Sequence, residues 1–164
     1  MAINQALLAE LKNEAGNTRK MLERVPTDKL SWKPHEKSMT LGRLATHIAQ
    51  IPAWIGRVIN QNEFDFAKHP YKADVAENTE QLLKIFDDTL AENITILESA
   101  DDEVLNTPWT LQRGNHIFFT LPRKVVLRTM AFNHLLHHRG QLSVYLRLSG
   151  IPVPGMYGPS ADEM

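Results

Sequence analysis

Four segments with the hydrophobic period of an α-helix constrain the fold of this 164-residue chain more than any other feature. In each, apolar residues recur every three or four positions, which places them on one face of a helix. Gly150 and Pro152 form a typical stop after the last segment. The segments are residues 4–24, 40–58, 78–99 and 122–150. They predict an all-α fold, a four-helix bundle. The core face of the fourth is expected to carry Val125, Val126, Met130, His134, His138, Leu142 and Tyr145.

The connections between these segments differ in length and in character. Thr40 is a suitable N-cap for the second segment, and Pro52 should kink that helix or interrupt it altogether. The long second connection, with Phe64, Phe66, Pro70 and Tyr71, is expected to cross along the bundle. Residues 109–112 and 116–120 predict a small β-hairpin between helices three and four, turning at Gly114. Without an internal repeat or a linker, we predict a single domain over residues 1–164.

The histidines of the second and fourth segments predict a metal site. His134 and His138 are one helical turn apart, so both imidazoles leave the same face and can converge on one point. His47 lies within the apolar stripe of the second segment and is the natural third donor. Three imidazoles suit a divalent ion such as Zn or Ni and leave positions open for water or substrate. The structural alternative is that His47 binds no metal and is a core histidine held by a hydrogen bond.

Composition excludes several other classes of protein. The chain has 18 Lys+Arg against 19 Asp+Glu and no cysteine. The balanced charge gives no general attraction to nucleic acid or to anionic membranes. Without cysteine, thiolate catalysis and Cys-ligated zinc are excluded. No signal sequence or membrane span is apparent, so we expect a soluble, cytoplasmic protein.

Three stretches of the sequence resemble the DinB-like family, also called DinB/YfiT-like. The first is Leu30-Ser31-Trp32-Lys33-Pro34 followed by residues 41–48, which end in His47-Ile48. The second is His134-Leu135-Leu136-His137-His138-Arg139-Gly140-Gln141. The third is the tail, residues 152–163. Together, in this order, they span nearly the whole chain.

The resemblance implies an up-down-down-up four-helix bundle that forms a homodimer. It also implies a divalent metal held by His47, His134 and His138, while His137 lies outside the family's pattern. Relatives in the wider superfamily include enzymes that use low-molecular-weight thiols. Within the chain itself, Asn133 and Gln141 are polar neighbours that could orient the ligands, but no motif supplies a general acid or base.

Two functional hypotheses from different classes follow. In the first, the protein is a metal-dependent enzyme acting on a small molecule, either a transferase with a thiol cosubstrate or a hydrolase. In the second, it is a non-catalytic metal- or ligand-binding bundle, or a dimeric interaction protein with structural histidines. An exchangeable metal position that opens into a cleft would favour the enzyme, whereas a site closed by a fourth protein ligand would favour the alternative.

Overall fold

The computed structural model describes residues 2–69 and 74–164, which fold mainly into helices. The helices are α1 (Ile3–Leu22), α2 (Leu41–Gln50), α3 (Ala53–Asn60), α4 (Thr79–Ser99), α5 (Asp102–Asn106), α6 (Arg123–Leu127) and α7 (His134–Leu148). A 3₁₀ turn at Thr27–Lys29 follows α1, and a π-helical segment at Arg128–Asn133 joins α6 to α7. Three strands, β1 (Glu63–Asp65), β2 (Pro108–Arg113) and β3 (His116–Pro122), complete the described elements. Within these residues, no helix is both long and apolar enough to cross a membrane.

Side-chain caps and a glycine fix several helix boundaries. The Thr40 hydroxyl accepts a hydrogen bond from the Arg43 amide at 3.2 Å, which confirms Thr40 as the N-cap of α2. Asn78 caps α4 in the same way, through the Gln81 amide at 2.8 Å. Gly150 has a φ of +74°, the left-handed conformation with which helices commonly end, and it follows α7 as predicted.

The second predicted helix is interrupted rather than kinked. Helix α2 ends at Gln50 and α3 begins at Ala53, with Pro52 between them. The amides of Trp54 and Ile55 donate to the carbonyls of Ile51 and Pro52. The next amide, that of Gly56, donates to Asn93 Oδ1 at 2.7 Å. Asn93 is buried on α4 and also donates to the Thr89 carbonyl at 2.8 Å. Asn93 thereby fixes the start of α3 against α4.

The fourth predicted helix is divided by the π-helical segment at residues 128–133, which the hydrophobic period did not predict. A π turn contains an extra residue, so it shifts the side chains before it relative to those after it. Val125, predicted on the core face, is accordingly exposed, whereas Val126 is fully buried. This part of the predicted core face was wrong because one helical period does not extend across the π segment.

A three-stranded sheet lies beside the helices. Strands β2 and β3 pair antiparallel around a turn at Gly114, which has a φ of +58°. Strand β1 pairs parallel to β2, with Phe64 opposite Leu111. The Asp65 carboxylate accepts hydrogen bonds from the Gly114 and Ala67 amides, and these bonds lower its pKa. The connection predicted as a crossover therefore contributes a strand; its Pro70 and Tyr71 lie outside the described residues.

Buried apolar side chains form two clusters on either side of the α2–α3 break. The first cluster includes Leu44 and Ile48 of α2 with Phe86 of α4 and Leu142 of α7. The second includes Trp54 and Ile55 of α3, Trp109 and Leu111 of β2, and Phe132. The break at Pro52 thus lets one polypeptide segment pack into both clusters, with His47 on one side of the break and Trp54 on the other.

Candidate metal centre

The fold brings together the three histidines that the sequence singled out. His47 projects from α2, and His134 and His138 project from successive turns of α7. The Nε2 atom of His134 lies 3.2 Å from Nε2 of His47 and 2.9 Å from Nε2 of His138. One ring nitrogen from each residue lies within 4.8 Å of those of the other two, an arrangement that could hold a metal ion. His137 is exposed and does not join this group.

Two carbonyl oxygens fix which nitrogen of two of these rings carries the proton. Nδ1 of His134 lies 3.3 Å from the carbonyl oxygen of Met130, and Nδ1 of His138 lies 2.7 Å from Oε1 of Gln141. A carbonyl oxygen only accepts hydrogen bonds, so each Nδ1 is the donor, with the oxygen of the Gln141 amide rather than its nitrogen facing His138. In the neutral rings, both Nε2 atoms then carry a lone pair. The π segment takes part in this arrangement, because the backbone amide of His134 donates to the Ala131 carbonyl and not to the Met130 carbonyl.

These protonation states test whether the site fits a cation. The Nε2 lone pairs of His134 and His138 are 2.9 Å apart with no proton to share between them. Two acceptors at that distance repel each other unless a cation lies between them. In a tetrahedral site with metal–nitrogen bonds of about 2.0–2.1 Å, two ligand nitrogens are separated by about 3.3 Å. The observed separations of 2.9 and 3.2 Å are close to that value. The donor set fits a divalent metal ion.

Electrostatics keep the three rings in the form that binds metal. Burial, with smaller contributions from His138, His134 and Arg43, lowers the pKa of His47 from its ordinary value to about 4. Burial also lowers the pKa of His134 and of His138. All three imidazoles are therefore neutral at neutral pH, and a metal ion does not have to displace a proton from them.

A cleft of about 780 Å³ reaches the site from one side. His47 and His134 lie in its wall, together with Gln50, Trp54, Arg57, Gln61, Phe64 and Phe66. Within the described part of the chain, no fourth His, Asp or Glu joins the three histidines. The arrangement is thus three protein donors beside an open cavity, which is typical of sites that keep a metal position exchangeable.

Of the two polar neighbours considered from the sequence, the structure places only Gln141 in contact with a site histidine. Gln141 lies one turn beyond His138 on α7 and accepts from its Nδ1. Asn133 lies instead beside Ala2 and Ile3, at a separate surface depression. Gln141 is thus positioned to orient a ligand, which is the usual task of a group hydrogen-bonded to the outer nitrogen of a metal-binding histidine.

Replacing Gln141 with alanine should weaken metal binding by roughly 10- to 100-fold while the fold is retained, because the orientation and protonation of His138 are no longer fixed. Competition with a chromophoric chelator measures the affinity. The matched control is Gln5→Ala on the exposed face of α1, which should leave the affinity unchanged. Equal affinities for Gln141→Ala and wild type would show that Gln141 does not support the site.

The sequence did not single out the polar wall of the cleft. Gln50, Arg57 and Gln61 continue the face that carries His47 and Trp54, at spacings of three or four residues. Their periodicity was a usable signal, because polar residues on the same stripe as a candidate ligand indicate a cavity rather than a core. Trp54 is buried and also lines this cleft.

Fold and site together define a class of protein, a helical protein in which histidines from two helices form a possible metal site beside a cleft. A sequence model of the DinB family matches residues 1–164. The chain belongs to the DinB family, which confirms the resemblance found in its motifs.

Relatives and solved structures agree with this assignment. The chain is 29% identical over 154 residues to the uncharacterized protein YrdA of Bacillus subtilis, covering 92% of this chain and 85% of YrdA. It is 27% identical to the uncharacterized protein YjoA of the same organism, covering 92% and 93% of the two chains. A crystal structure of a DinB-like protein from Bacillus cereus superposes with a TM-score of 0.72 at 28% identity, covering 93% of this chain and 97% of that one. The crystal structure of YjoA has a similar fold, with a TM-score of 0.73.

Proposed function

We propose that this protein is a divalent-metal-dependent enzyme whose ion is held by His47, His134 and His138 and which acts on a small molecule. The observation that carries the proposal is the pair of Nε2 lone pairs of His134 and His138, 2.9 Å apart, with both Nδ1 atoms held by carbonyl oxygens. This arrangement is unfavourable without a cation and suited to one. Imidazole donors favour Zn or Ni, and the choice between them depends on supply.

Two reaction classes fit this site, a transfer that uses a low-molecular-weight thiol and a hydrolysis. When bound, a divalent ion supplies Lewis acidity, which lowers the pKa of a coordinated thiol or water. The three neutral histidines add no negative charge, so the full charge of the ion remains available. Met130 and Gln141 keep the rings of His134 and His138 oriented through their Nδ1 atoms. The apolar walls of the cleft, including Trp54 and Phe64, exclude water around a substrate.

The alternative is a non-catalytic metal- or ligand-binding bundle, or an interaction protein with structural histidines. The cleft beside His47 and His134 favours the enzyme, because a purely structural site is normally closed by a fourth protein ligand.

We further propose that the chain is a single domain, an up-down-down-up four-helix bundle that forms a homodimer. The first helix of the bundle would be α1 and the third would be α4. The second would consist of α2 and α3, and the fourth of α6 and α7. For the dimer, the support beyond the family resemblance is the outer face of α7. Val144 and Leu148 are exposed there, and a side chain at Gly140 would meet no atom of the described chain within 4 Å.

The test is metal-dependent turnover. Tag-free protein is analysed by elemental mass spectrometry, stripped with a chelator, and reloaded with Zn or Ni. Each form is assayed for conjugation of cysteine to an activated aryl halide and for hydrolysis of a nitrophenyl ester. We expect about one ion per chain and activity only in a metal-loaded form. Metal binding without turnover would favour the non-catalytic alternative, and failure to bind metal after reconstitution would contradict the site itself.

A further inference from the structure

Arg57 is an arginine whose side chain rests against aromatic rings in the cleft beside the histidines. It projects from α3 into the cleft that reaches His47 and His134. Its guanidinium carbon lies 5.1 Å from the ring centre of Trp54 and 5.5 Å from that of Phe64. Among the described residues, the Arg57 guanidinium makes no hydrogen bond or ion pair. By contrast, Arg123 and Arg139 bind several carbonyl and side-chain oxygens.

The aromatic contacts hold the arginine and leave its donors available. A guanidinium that rests on aromatic rings uses its flat face for those contacts, while its five N–H groups lie in its plane. Phe64 is itself fixed by an edge contact with Trp54 at 5.1 Å and by the stacked ring of His69 at 4.9 Å. Arg57 is thus preorganised on a packed aromatic surface. Burial lowers the pKa of Arg57, yet an arginine remains charged at neutral pH.

The surrounding wall favours an anion with an apolar body. The side-chain amides of Gln50 and Gln61 line the same cleft and form no hydrogen bond within the described structure. Trp54, Phe64 and Phe66 supply apolar surface beside them. Asp74 also lines the cleft and is engaged in an interaction of its own. The cleft therefore combines the charged N–H donors of Arg57, two neutral side-chain amides and aromatic surface. This combination suits a small molecule that has an oxyanion at one end and an apolar body.

We propose that Arg57 binds an oxyanion group, a carboxylate, phosphate or sulfonate, of the small molecule whose other end reaches the three histidines. The subsite itself depends only on Arg57 and its cleft, whereas its role in positioning a substrate rests on the proposed function. Arg57 is therefore the residue that selects anionic substrates for this site.

The test uses benzenesulfonate, which carries an oxyanion and an aromatic body and is a weak ligand of divalent metals, with methyl phenyl sulfone as its neutral counterpart. Binding is measured by calorimetry on metal-loaded and on chelator-treated protein. We expect wild type to bind the sulfonate and not the sulfone. Arg57→Gln should weaken binding by about tenfold or more, and Arg57→Lys by less, because lysine keeps the charge without the fork. The location is checked by a shift of the Trp54 indole resonance, assigned with Trp54→Phe.

The matched control is Arg113→Gln on the exposed hairpin, outside the cleft, which should bind the sulfonate like wild type. Equal binding by Arg57→Gln and wild type, or no binding by wild type, would overturn the proposal, as would an equal loss in Arg113→Gln. Because chelator-treated protein is also measured, loss of the anion subsite and loss of the metal site give different results. Sulfonate binding to metal-free protein supports the subsite even if no ion is ever retained.

Discussion

Replacing His134 with alanine should abolish metal binding and the stabilisation that added metal confers. Nε2 of His134 lies within 3.2 Å of the Nε2 atoms of both other histidines, so its removal leaves two donors on different helices. Removing a hydrogen-bond partner of a metal ligand typically lowers metal affinity by roughly 10- to 100-fold, and removing the ligand itself should lower the affinity further. At 1,000 times its dissociation constant, an ion stabilises the protein that binds it by about 4 kcal/mol. Wild type should therefore melt at a higher temperature when metal is added, and His134→Ala should not.

His137→Ala is the matched control for this experiment. His137 is an exposed histidine of the same helix whose ring lies 4.9 Å from that of His138, yet it does not join the three-histidine group. Metal content by elemental mass spectrometry and melting temperature with and without Zn or Ni are measured for both variants, and for His47→Ala and His138→Ala. Retention of a stoichiometric ion by His134→Ala, or loss of the ion from His137→Ala, would show that the ligand set is wrong.

The histidine cluster was accessible from sequence because two of its members depend only on local geometry. A spacing of four residues places His134 and His138 on one helix face, whatever the tertiary structure. His47 needed two further facts, its position within an apolar stripe and the family's arrangement of motifs. Gln141 was visible only as a polar neighbour, since its contact with His138 depends on side-chain rotamers that spacing does not fix.

Features that depend on tertiary packing were missed. The π segment at residues 128–133 has no distinct composition, so the period was extrapolated through it and Val125 was placed inside. Strand β1 pairs with β2 across a long sequence separation, and three residues are too few to give a pattern. Arg57 was missed because an arginine on a helix usually indicates a solvated face. Its aromatic neighbours come partly from β1, which the sequence did not predict.

Removing the carboxylate of Glu14 should destabilise the protein more than loss of any exposed ion pair, because it leaves the charge of Arg139 buried without a compensating negative charge. Arg139 Nη2 donates to Glu14 Oε2 at 2.6 Å, and the two side chains are only 4% and 10% exposed. The Tyr157 hydroxyl donates to the same Glu14 oxygen at 2.8 Å, which ties the tail to this pair. Breaking a buried pair typically costs about 3–5 kcal/mol. The free energy of unfolding, measured by urea denaturation, should therefore be lower for Glu14→Leu than for wild type by that amount.

Helix α1 also carries an exposed ion pair that serves as the control. Glu10 of α1 pairs with Arg128 of the π segment, and the side chains are 30% and 45% exposed. Glu10→Leu should cost no more than about 1 kcal/mol, because solvent replaces most of that interaction. Combining Glu14→Leu with Arg139→Met removes both buried charges and should recover most of the loss. If the double variant is no more stable than Glu14→Leu, the cost lies in lost packing or in the released tail rather than in an unpaired charge, and the electrostatic explanation is wrong.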